Sequence, residues 1–300
     1  MSLEHKGRTE AIRLFKKNGS DKNSPQAMHF AMDYLTFFGY VAIDLLQHMD
    51  YAKLDAAVKS FQRMFNLKVD GVIGPKTLRA METPRCGCPD KLDPKNKHHI
   101  QFMNVKDAAA KQRNQWNKQG LTFAVQQYVT GLGKPTQDKI FAAAFKAWDD
   151  VCGLNITRIK DVKKADIAIA TGKGIQHNFD GRGGTLAWAY MPKGNDHQLT
   201  MRFDLDETWI SQPTDRGIMM LNVACHEFGH LLGLDHSKNT GALMAPYYNP
   251  FVSGPQDNDD IKRIQKLYGK NENAVGVKKE TKNTLAVELN KGQKLVVTCV

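Results

Sequence analysis

The chain has 300 residues, a length that favours two domains over one small domain or three. Its formal net charge is +11, but the basic residues are spread along the whole chain, whereas nucleic-acid binders concentrate them on one face or tail. We therefore expect no nucleic-acid partner. No apolar stretch approaches 18 residues, which predicts no transmembrane segment, and the first 25 residues show no signal peptide.

The first 83 residues predict a polar leader and a small helical domain. Residues 1–24 are polar. Apolar residues then recur at three- and four-residue spacing from Pro25 to Phe38 and from Tyr51 to Asn66, and a turn follows before a short third helix ending near Met81. Residues 25–83 are therefore predicted to form a three-helix domain.

The rest of the chain predicts a linker, a larger domain and a tail. Prolines and charged residues mark 84–97 as a linker between the two domains. Residues 98–270 mix strand patterns with three long helical patterns, over 137–151, 217–232 and 257–268, which predicts an α+β domain with a twisted, mostly parallel sheet. Residues 271–300 form a polar tail that ends in a possible β-hairpin.

The segment from Cys225 to His236 has the spacing of a zinc site. His226 and His230 are four residues apart, so on a helix both imidazoles project from one face. Gly233 can end that helix in a left-handed conformation, which lets the chain return and bring His236 to the same ion. Three histidines leave the fourth position of a tetrahedral zinc open, as in catalytic rather than structural sites. Cys225 is expected to lie in the core.

Glu227 follows the first of these histidines and is the candidate general base. Zinc lowers the pKa of a bound water to roughly 7, so a carboxylate could take its proton near neutral pH and pass it to a departing amine. The predicted reaction is hydrolysis of a peptide bond by zinc-activated water.

Met244 stands shortly after His236, and an elongated zinc motif followed by a methionine turn resembles the matrixins, the matrix metalloproteinase family of the metzincin clan. The resemblance implies a mixed five-stranded sheet with three long helices, a zinc cleft, and proteolysis of extended polypeptide. It places Met244 as a hydrophobic base beneath the zinc. It also implies substrate contacts from two edge-strand residues and from the walls of a side-chain pocket: Leu186, Ala187, Asn222, Pro246 and Tyr248.

The segment from Pro84 to Asp90 could silence that zinc. A thiolate is an excellent zinc ligand, so Cys86 could fill the open position until the segment is cut or the sulfur released. The segment resembles the matrixin cysteine switch, which implies Cys86 as the inhibitory ligand and Arg85 and Asp90 as its ion pair. Cys88 departs from the family pattern and leaves open which sulfur binds, with Cys86 favoured by the arginine before it and the glycine after it.

Two more segments resemble the structural calcium loop of the family, and hard oxygen ligands suit Ca²⁺. The implied ligands are three carboxylates and three backbone carbonyls, from Asp180, Asp204 and Glu207 and from Gly181, Gly183 and Thr185. Two ordinary Asp-Gly turns are the alternative.

The second, structural zinc of the family is expected to be absent. Trp188 and Arg202 stand where the family has two histidine ligands, and an arginine does not bind a cation. His177 and His197 are then expected to face solvent.

Two functions remain open. The first is a zinc metalloendopeptidase made as a latent zymogen, expected to be secreted and monomeric, with polypeptide or extracellular-matrix protein as substrate. The helical domain also resembles a matrixin pro-domain related to peptidoglycan-binding modules, so the alternative is a cell-wall-associated zinc hydrolase whose N-terminal module binds peptidoglycan.

Overall fold

A computed structural model of the chain describes residues 25–42, 51–91, 95, 99, 114–192, 198–271, 284–289 and 293–298, the last two as backbone only. The predicted leader over 1–24, together with His197 and Cys299, lies outside the described residues. Within the described parts, no helix combines the length and apolar character needed to cross a membrane.

Three helices form the N-terminal domain, in agreement with the sequence pattern: α1 (Pro25–Phe37), α2 (Tyr51–Met64) and α3 (Pro75–Met81). Their apolar faces bury one cluster, in which the rings of Phe38 and Phe61 are fully inaccessible. Burial of such rings, rather than helix propensity, stabilises a bundle of short helices.

A buried glutamine fixes the turn between α2 and α3. Gln62 is 1% exposed, and its Nε2 donates to Asp70 Oδ1 at 2.9 Å and to Val72 O at 3.1 Å. Its Oε1 accepts the backbone N–H groups of Asp70 and Gly71 at 3.0 and 2.9 Å. Because both ends of the amide are satisfied, these hydrogen bonds offset the cost of burying the residue and hold the loop in one conformation.

The second domain is built on a mixed sheet of six strands: β1 (Arg85–Cys86), β2 (Gly120–Val125), β3 (Asn155–Arg158), β4 (Ile167–Gly172), β5 (Thr185–Ala189) and β6 (Leu199–Asp204). Their order is β1-β5-β6-β4-β2-β3. Strands β2, β3, β4 and β6 run parallel, β5 is antiparallel to β6, and β1 is parallel to β5. The α+β prediction is confirmed.

The strand count differs from the five that were predicted, because the segment before the domain adds β1 to its edge. The linker expected over 84–97 stays a prediction, and residues 85–89 in its first part are buried. Backbone hydrogen bonds to β5 and burial of apolar side chains fix this part of the chain.

Three long helices cover the sheet and the cleft: α4 (Lys134–Asp149), α5 (Met220–Leu231) and α6 (Asp260–Tyr268). Helix α5 begins later than the predicted residue 217, because Ile218–Met219 form a short strand, β8, that pairs with β7 (Trp209–Ile210). The tail contains β9 (Thr284–Leu289) and β10 (Gln293–Thr298), paired antiparallel as the hairpin pattern indicates.

Every residue of α5 is buried, so this helix is the centre of the domain. Its Phe228 stacks on Phe145 of α4 with ring centroids 3.5 Å apart. The carbonyl of Cys225 accepts the indole N–H of Trp148 at 2.8 Å, and the Cys225 side chain lies in the core as expected. A helix fixed on all sides can hold side chains at defined positions.

Candidate metal centre

Four donor atoms converge where α5 faces strand β1. One donor atom from each of Cys86, His226, His230 and His236 lies within 4.8 Å of the others. His230 Nε2 is 3.2 Å from the Nε2 atoms of both His226 and His236, and 3.4 Å from Cys86 Sγ. The structure thus brings together the four residues that the sequence nominated as zinc ligands.

The turn after α5 delivers the third histidine. Gly233 has φ +99°, a left-handed conformation that glycine adopts without strain. A Cβ at this position would collide with the backbone oxygen of Asn114. The chain can therefore double back tightly only with glycine here, and this return brings His236 beside His230.

The hydrogen bonds of two imidazole rings show which of their nitrogens is free to bind a metal. The Nδ1 atoms of His226 and His230 lie 2.7 Å from the carbonyl oxygens of Leu243 and Leu234. A carbonyl only accepts, so both Nδ1 atoms carry the proton and both Nε2 atoms present lone pairs. Two lone pairs at 3.2 Å cannot hydrogen-bond to each other. Ligands about 2.0–2.1 Å from a tetrahedral Zn²⁺ would be about 3.3 Å apart, so the donor set fits zinc.

Burial and charge set the protonation of the centre. Burial and the His236 charge lower the pKa of His226 to about 3, and burial likewise holds the pKa of His230 well below its usual value. Burial would also lower the pKa of His236, but the neighbouring Cys86 and Asp90 raise it to about 9. Burial thus keeps the imidazoles of His226 and His230 neutral, and a cation bound between the three rings would disfavour the extra proton on His236.

Of the two sulfurs that the sequence left open, Cys86 Sγ is the one that meets the three histidines. Cys88 Sγ donates instead to Ala189 O on β5 at 3.2 Å, while the Cys88 N–H donates to Cys86 Sγ at 3.3 Å. Cys88 still lies within 4.8 Å of donor atoms of Cys86, Glu227 and His230. Burial raises the pKa of both thiols, so a thiolate here requires a nearby cation.

The backbone around Cys86 is held on two sides. On the β5 side, the N–H of Arg85 donates to Gly184 O at 3.0 Å and that of Gly87 to Ala187 O at 2.8 Å. On the other side, the N–H of Cys86 donates to Pro246 O at 3.0 Å. The segment thus lies across the cleft between the sheet edge and the loop that follows Met244.

Arg85 and Asp90 form the expected ion pair, and both side chains are almost inaccessible. The two guanidinium nitrogens lie 3.0 and 2.7 Å from the two carboxylate oxygens. Burial would raise the pKa of Asp90, but Arg85 and His236 outweigh it and hold that pKa well below its usual range. Arg85 also donates to the Tyr34 hydroxyl at 2.7 Å and lies 3.5 Å over the ring of Phe38. The pair therefore connects the helical domain to the centre.

Glu227 is fully buried beside the metal ligands. Neither of its carboxylate oxygens has a hydrogen-bond partner among the described residues. Burial, followed by the Cys86 charge, raises its pKa well above the usual value. A buried carboxylate with both oxygens unused and a raised pKa is suited to exchange protons with a reacting group.

A cleft of about 370 Å³ opens beside Glu227 and is lined by four of the five predicted substrate contacts, Leu186, Asn222, Pro246 and Tyr248. Ala187, the fifth, lies on β5 and accepts from Gly87. Asn222 is 4% exposed, and its Nδ2 donates to Asn249 O and Pro250 O at 3.1 and 3.0 Å. It therefore fixes the loop that forms the pocket wall.

Met244 is completely buried under α5, at Gly229, where an added Cβ would collide with the Met244 sulfur. Sequence reasoning missed the residue that holds this turn. Asp260, at the start of α6 and also buried, accepts the N–H groups of Leu243 and Met244 at 2.7 and 3.1 Å. Leu243 in turn provides the carbonyl for His226. An acidic residue at a helix start is too common to signal this role.

The six residues assigned to calcium lie in two adjacent segments, one that ends at the first residue of β5 and one that begins at the last residue of β6. Asp180 accepts the N–H of Thr185 at 2.8 Å, and Glu207 accepts the N–H of Gly183. Asp204 is buried with Oδ2 unpartnered among the described residues, and burial together with neighbouring acids raises its pKa to about 7. Gly181, like Gly183, is left-handed. An acid that resists ionisation is consistent with a site that a cation would neutralise.

The region assigned to the second zinc of the family contains the side chains of Trp188 and Arg202. Trp188 is 3% exposed and donates to His177 O at 2.7 Å, and the Arg202 guanidinium lies 5.9 Å from the Trp188 ring centre. His177 is partly exposed, and its Nδ1 lies 3.1 Å from Lys173 O. The absence of a zinc site here stays a prediction.

Comparison with known proteins gives two family matches. The profile of the matrixins matches residues 115–269, and that of a putative peptidoglycan binding domain matches residues 26–81. Matrix metalloproteinase-18 of Xenopus laevis is 38% identical over 224 residues, which cover 73% of this chain and 44% of that protein. Matrix metalloproteinase-15 of Homo sapiens is 33% identical over 260 residues, 80% of this chain and 38% of that protein.

The interstitial collagenase of Equus caballus is 36% identical over 228 residues, which cover 73% of this chain and 44% of that protein. The chain thus spans less than half the length of each of these relatives.

Proposed function

Since this chain belongs to the matrixin family, we propose that it is a zinc-dependent endopeptidase folded in a latent state. The family resemblance inferred from the motifs is confirmed by the two profile matches. The proposed activity depends above all on one observation. A buried Glu227 with both oxygens unpartnered in the described structure adjoins three histidines and a cysteine whose donor atoms converge within 4.8 Å.

His226, His230 and His236 would hold the zinc ion, which when bound supplies Lewis-acid chemistry for hydrolysis of an amide. Glu227 would take a proton from the attacking water at a carboxylate oxygen and return it to the leaving nitrogen. Its burial supports this role, because it raises the pKa of the carboxylate and so makes the carboxylate a stronger base.

The edge of β5 would bind the substrate as an added strand. Ala187 O and Gly184 O accept N–H groups of residues 84–90, the switch segment, so they can accept those of another extended chain. The cleft beside Glu227 has apolar walls at Leu186 and Pro246 and would take an apolar side chain of the substrate.

The enzyme would be latent because part of its own chain occupies the zinc position and the β5 edge that catalysis needs. Cys86 would supply the fourth ligand, and β1 would cover the edge that the substrate needs. We propose further a structural Ca²⁺ on the loops of Asp180, Asp204 and Glu207, no second zinc, secretion, action on extracellular-matrix protein and a monomeric state.

The alternative, a cell-wall hydrolase that binds peptidoglycan, is supported only by the profile match of residues 26–81. In the structure, residues of this domain contact the second domain. Tyr34 and Phe38 contact Arg85, and the ring of Phe65 lies 5.4 Å from that of Tyr247. These contacts favour an inhibitory role.

Digestion of casein or gelatin by the full chain tests the proposal, before and after treatment with an organomercurial that captures the thiol. We expect no cleavage before treatment and cleavage after it, and Glu227→Ala should lower the activated rate by about 10²–10⁴-fold. An activated chain that cleaves nothing, or a Glu227→Ala variant as active as wild type, would contradict the mechanism.

A further inference from the structure

The three histidine ligands differ in what holds the far side of each ring. His226 and His230 have Nδ1 atoms 2.7 Å from backbone carbonyls of the second domain. His236 Nδ1 instead lies 2.7 Å from Oδ1 of Asp90, a residue of the switch segment. The second domain thus supplies the Nδ1 partners of His226 and His230, whereas the switch segment supplies the Nδ1 partner of His236.

We propose that Asp90 is a positioning residue for the third zinc ligand, so that the switch segment retains the metal as well as blocking it. This inference rests on the proposed zinc site. It adds that removal of the segment takes away the support of His236 together with the Cys86 ligand, so activation loosens zinc at the same moment that it opens the cleft.

The contact acts through charge. The side chains of Asp90 and His236 are 0% and 1% exposed, so water screens the carboxylate little. The contact lacks the alignment of a hydrogen bond, but an acceptor oxygen at 2.7 Å repels a lone pair on Nδ1. The proton of the neutral ring is therefore kept on Nδ1, and the lone pair is kept on Nε2, which faces His230 Nε2 at 3.2 Å.

The helical domain fixes the carboxylate that does this. The N–H of Asp90 donates to Phe38 O at 3.1 Å, and the Tyr40 hydroxyl donates to Asp90 Oδ2 at 2.6 Å. Arg85 binds both carboxylate oxygens. Asp90 is thus attached to the segment just after α1, and it leaves His236 when the helical domain leaves.

Loss of an outer partner of a metal-bound histidine typically costs about 10–100-fold in metal affinity. The test measures the half-time of zinc transfer from the full-length latent chain to a chromophoric chelator. Asp90→Asn should shorten this half-time about 10–100-fold. The matched control is Asp166→Asn, which makes the same change at a partly buried aspartate that pairs with Lys118 and holds no metal ligand, and it should stay within about threefold of wild type.

The imidazole ¹⁵N spectrum of the zinc-loaded chain separates a local effect on His236 from a general loss of stability. In Asp90→Asn the signals of His236 should move, and those of His226 and His230 should stay. Equal zinc release in Asp90→Asn and Asp166→Asn, or release from Asp90→Asn as slow as from wild type, would overturn the inference.

A second preparation covers the case in which Asp90→Asn does not fold. The double variant Cys86→Ser, Glu227→Ala lacks both the thiol ligand and self-cleavage, and an added protease can remove its first 90 residues. Zinc should leave about 10–100-fold faster after removal. An unchanged half-time contradicts the inference alone, whereas a wild-type chain that holds no zinc contradicts the proposed function as well.

Discussion

Asp260 shows how a single buried side chain holds the metal centre from outside it. Its carboxylate accepts three backbone N–H groups, from Leu243, Met244 and Gln256. Leu243 O holds the Nδ1 atom of His226, so a substitution at Asp260 that shifts the backbone of Leu243 also shifts this metal ligand.

Replacing Asp260 by asparagine should destabilise the protein by about 2–4 kcal/mol. The asparagine amide NH₂ would face at least one backbone N–H, which would then lose its acceptor while still buried. Denaturant unfolding measures the effect. Asp257→Asn changes an exposed residue nearby and should alter the free energy of unfolding by no more than about 0.5 kcal/mol. Equal effects of the two substitutions would contradict this role.

Individual site residues can be predicted from the sequence when their spacing along the chain is characteristic of a shared site. Two histidines one helical turn apart predict a shared ligand face, and the structure places them 3.2 Å apart through Nε2. Asp260 and the Asp90 contact with His236 depend on tertiary packing between segments that are distant in sequence. No local pattern encodes such pairs.

At the scale of elements, strand β1 is short but occupies a critical position. Gly87 follows it and donates to Ala187 O. A Cβ on Gly87 would collide with Cγ2 of Thr185 on β5. The close approach of the two backbones therefore requires glycine, independently of any contact with the metal.

Gly87→Ala should consequently weaken latency without touching a ligand. Overpacking costs about 1–3 kcal/mol, which increases the open population about 5–150-fold. The measurement is the rate of cleavage of a quenched fluorescent peptide before activation. Gly120→Ala is the control, since a Cβ there meets nothing within 4 Å, and it should leave the basal rate unchanged. A Gly87→Ala variant as latent as wild type would argue against the proposed role of β1.

The pattern of apolar residues predicted the six helices. It missed β1, β7 and β8, which are two residues long, and β3, whose residues are mostly exposed. Strands of this kind are formed by pairing with a neighbour rather than by an alternating pattern of their own.

For the whole molecule, the acidic loops around Asp204 predict a link between pH, calcium and stability. The pKa of Asp204, about 7, lies above the ordinary value of an aspartate. The unfolded state therefore releases this proton more readily than the folded state. Stability from this group is present at low pH and is lost as the pH rises from about 4 towards 7. A bound cation would offset that loss.

Calcium should therefore raise the melting temperature more at pH 7.5 than at pH 5, by at least about 2–4 °C, the shift that 1 kcal/mol produces in a chain of this size. Asp204→Asn should reduce the difference between the two pH values. The measurement is thermal unfolding with calcium and with a chelator. An equal calcium effect at both pH values would contradict the assignment of Asp204.

The proposed latency also belongs to the whole chain, because it would depend on the helical domain, on β1 and on one sulfur acting together. Cys86 meets the histidines, whereas Cys88 donates to Ala189 O, although both thiols are buried within two residues of each other. A matched pair of serine substitutions therefore separates a metal ligand from a neighbouring thiol of the same chemistry.

The most direct measurement is the rate at which the unactivated full-length chain cleaves an extended peptide, compared between Cys86→Ser and Cys88→Ser. We predict that Cys86→Ser is active without treatment and trims its own N-terminal domain, and that Cys88→Ser stays latent like wild type. A Cys86→Ser chain as inactive as wild type, with zinc bound, would contradict the assignment of Cys86 as the residue that holds the enzyme latent.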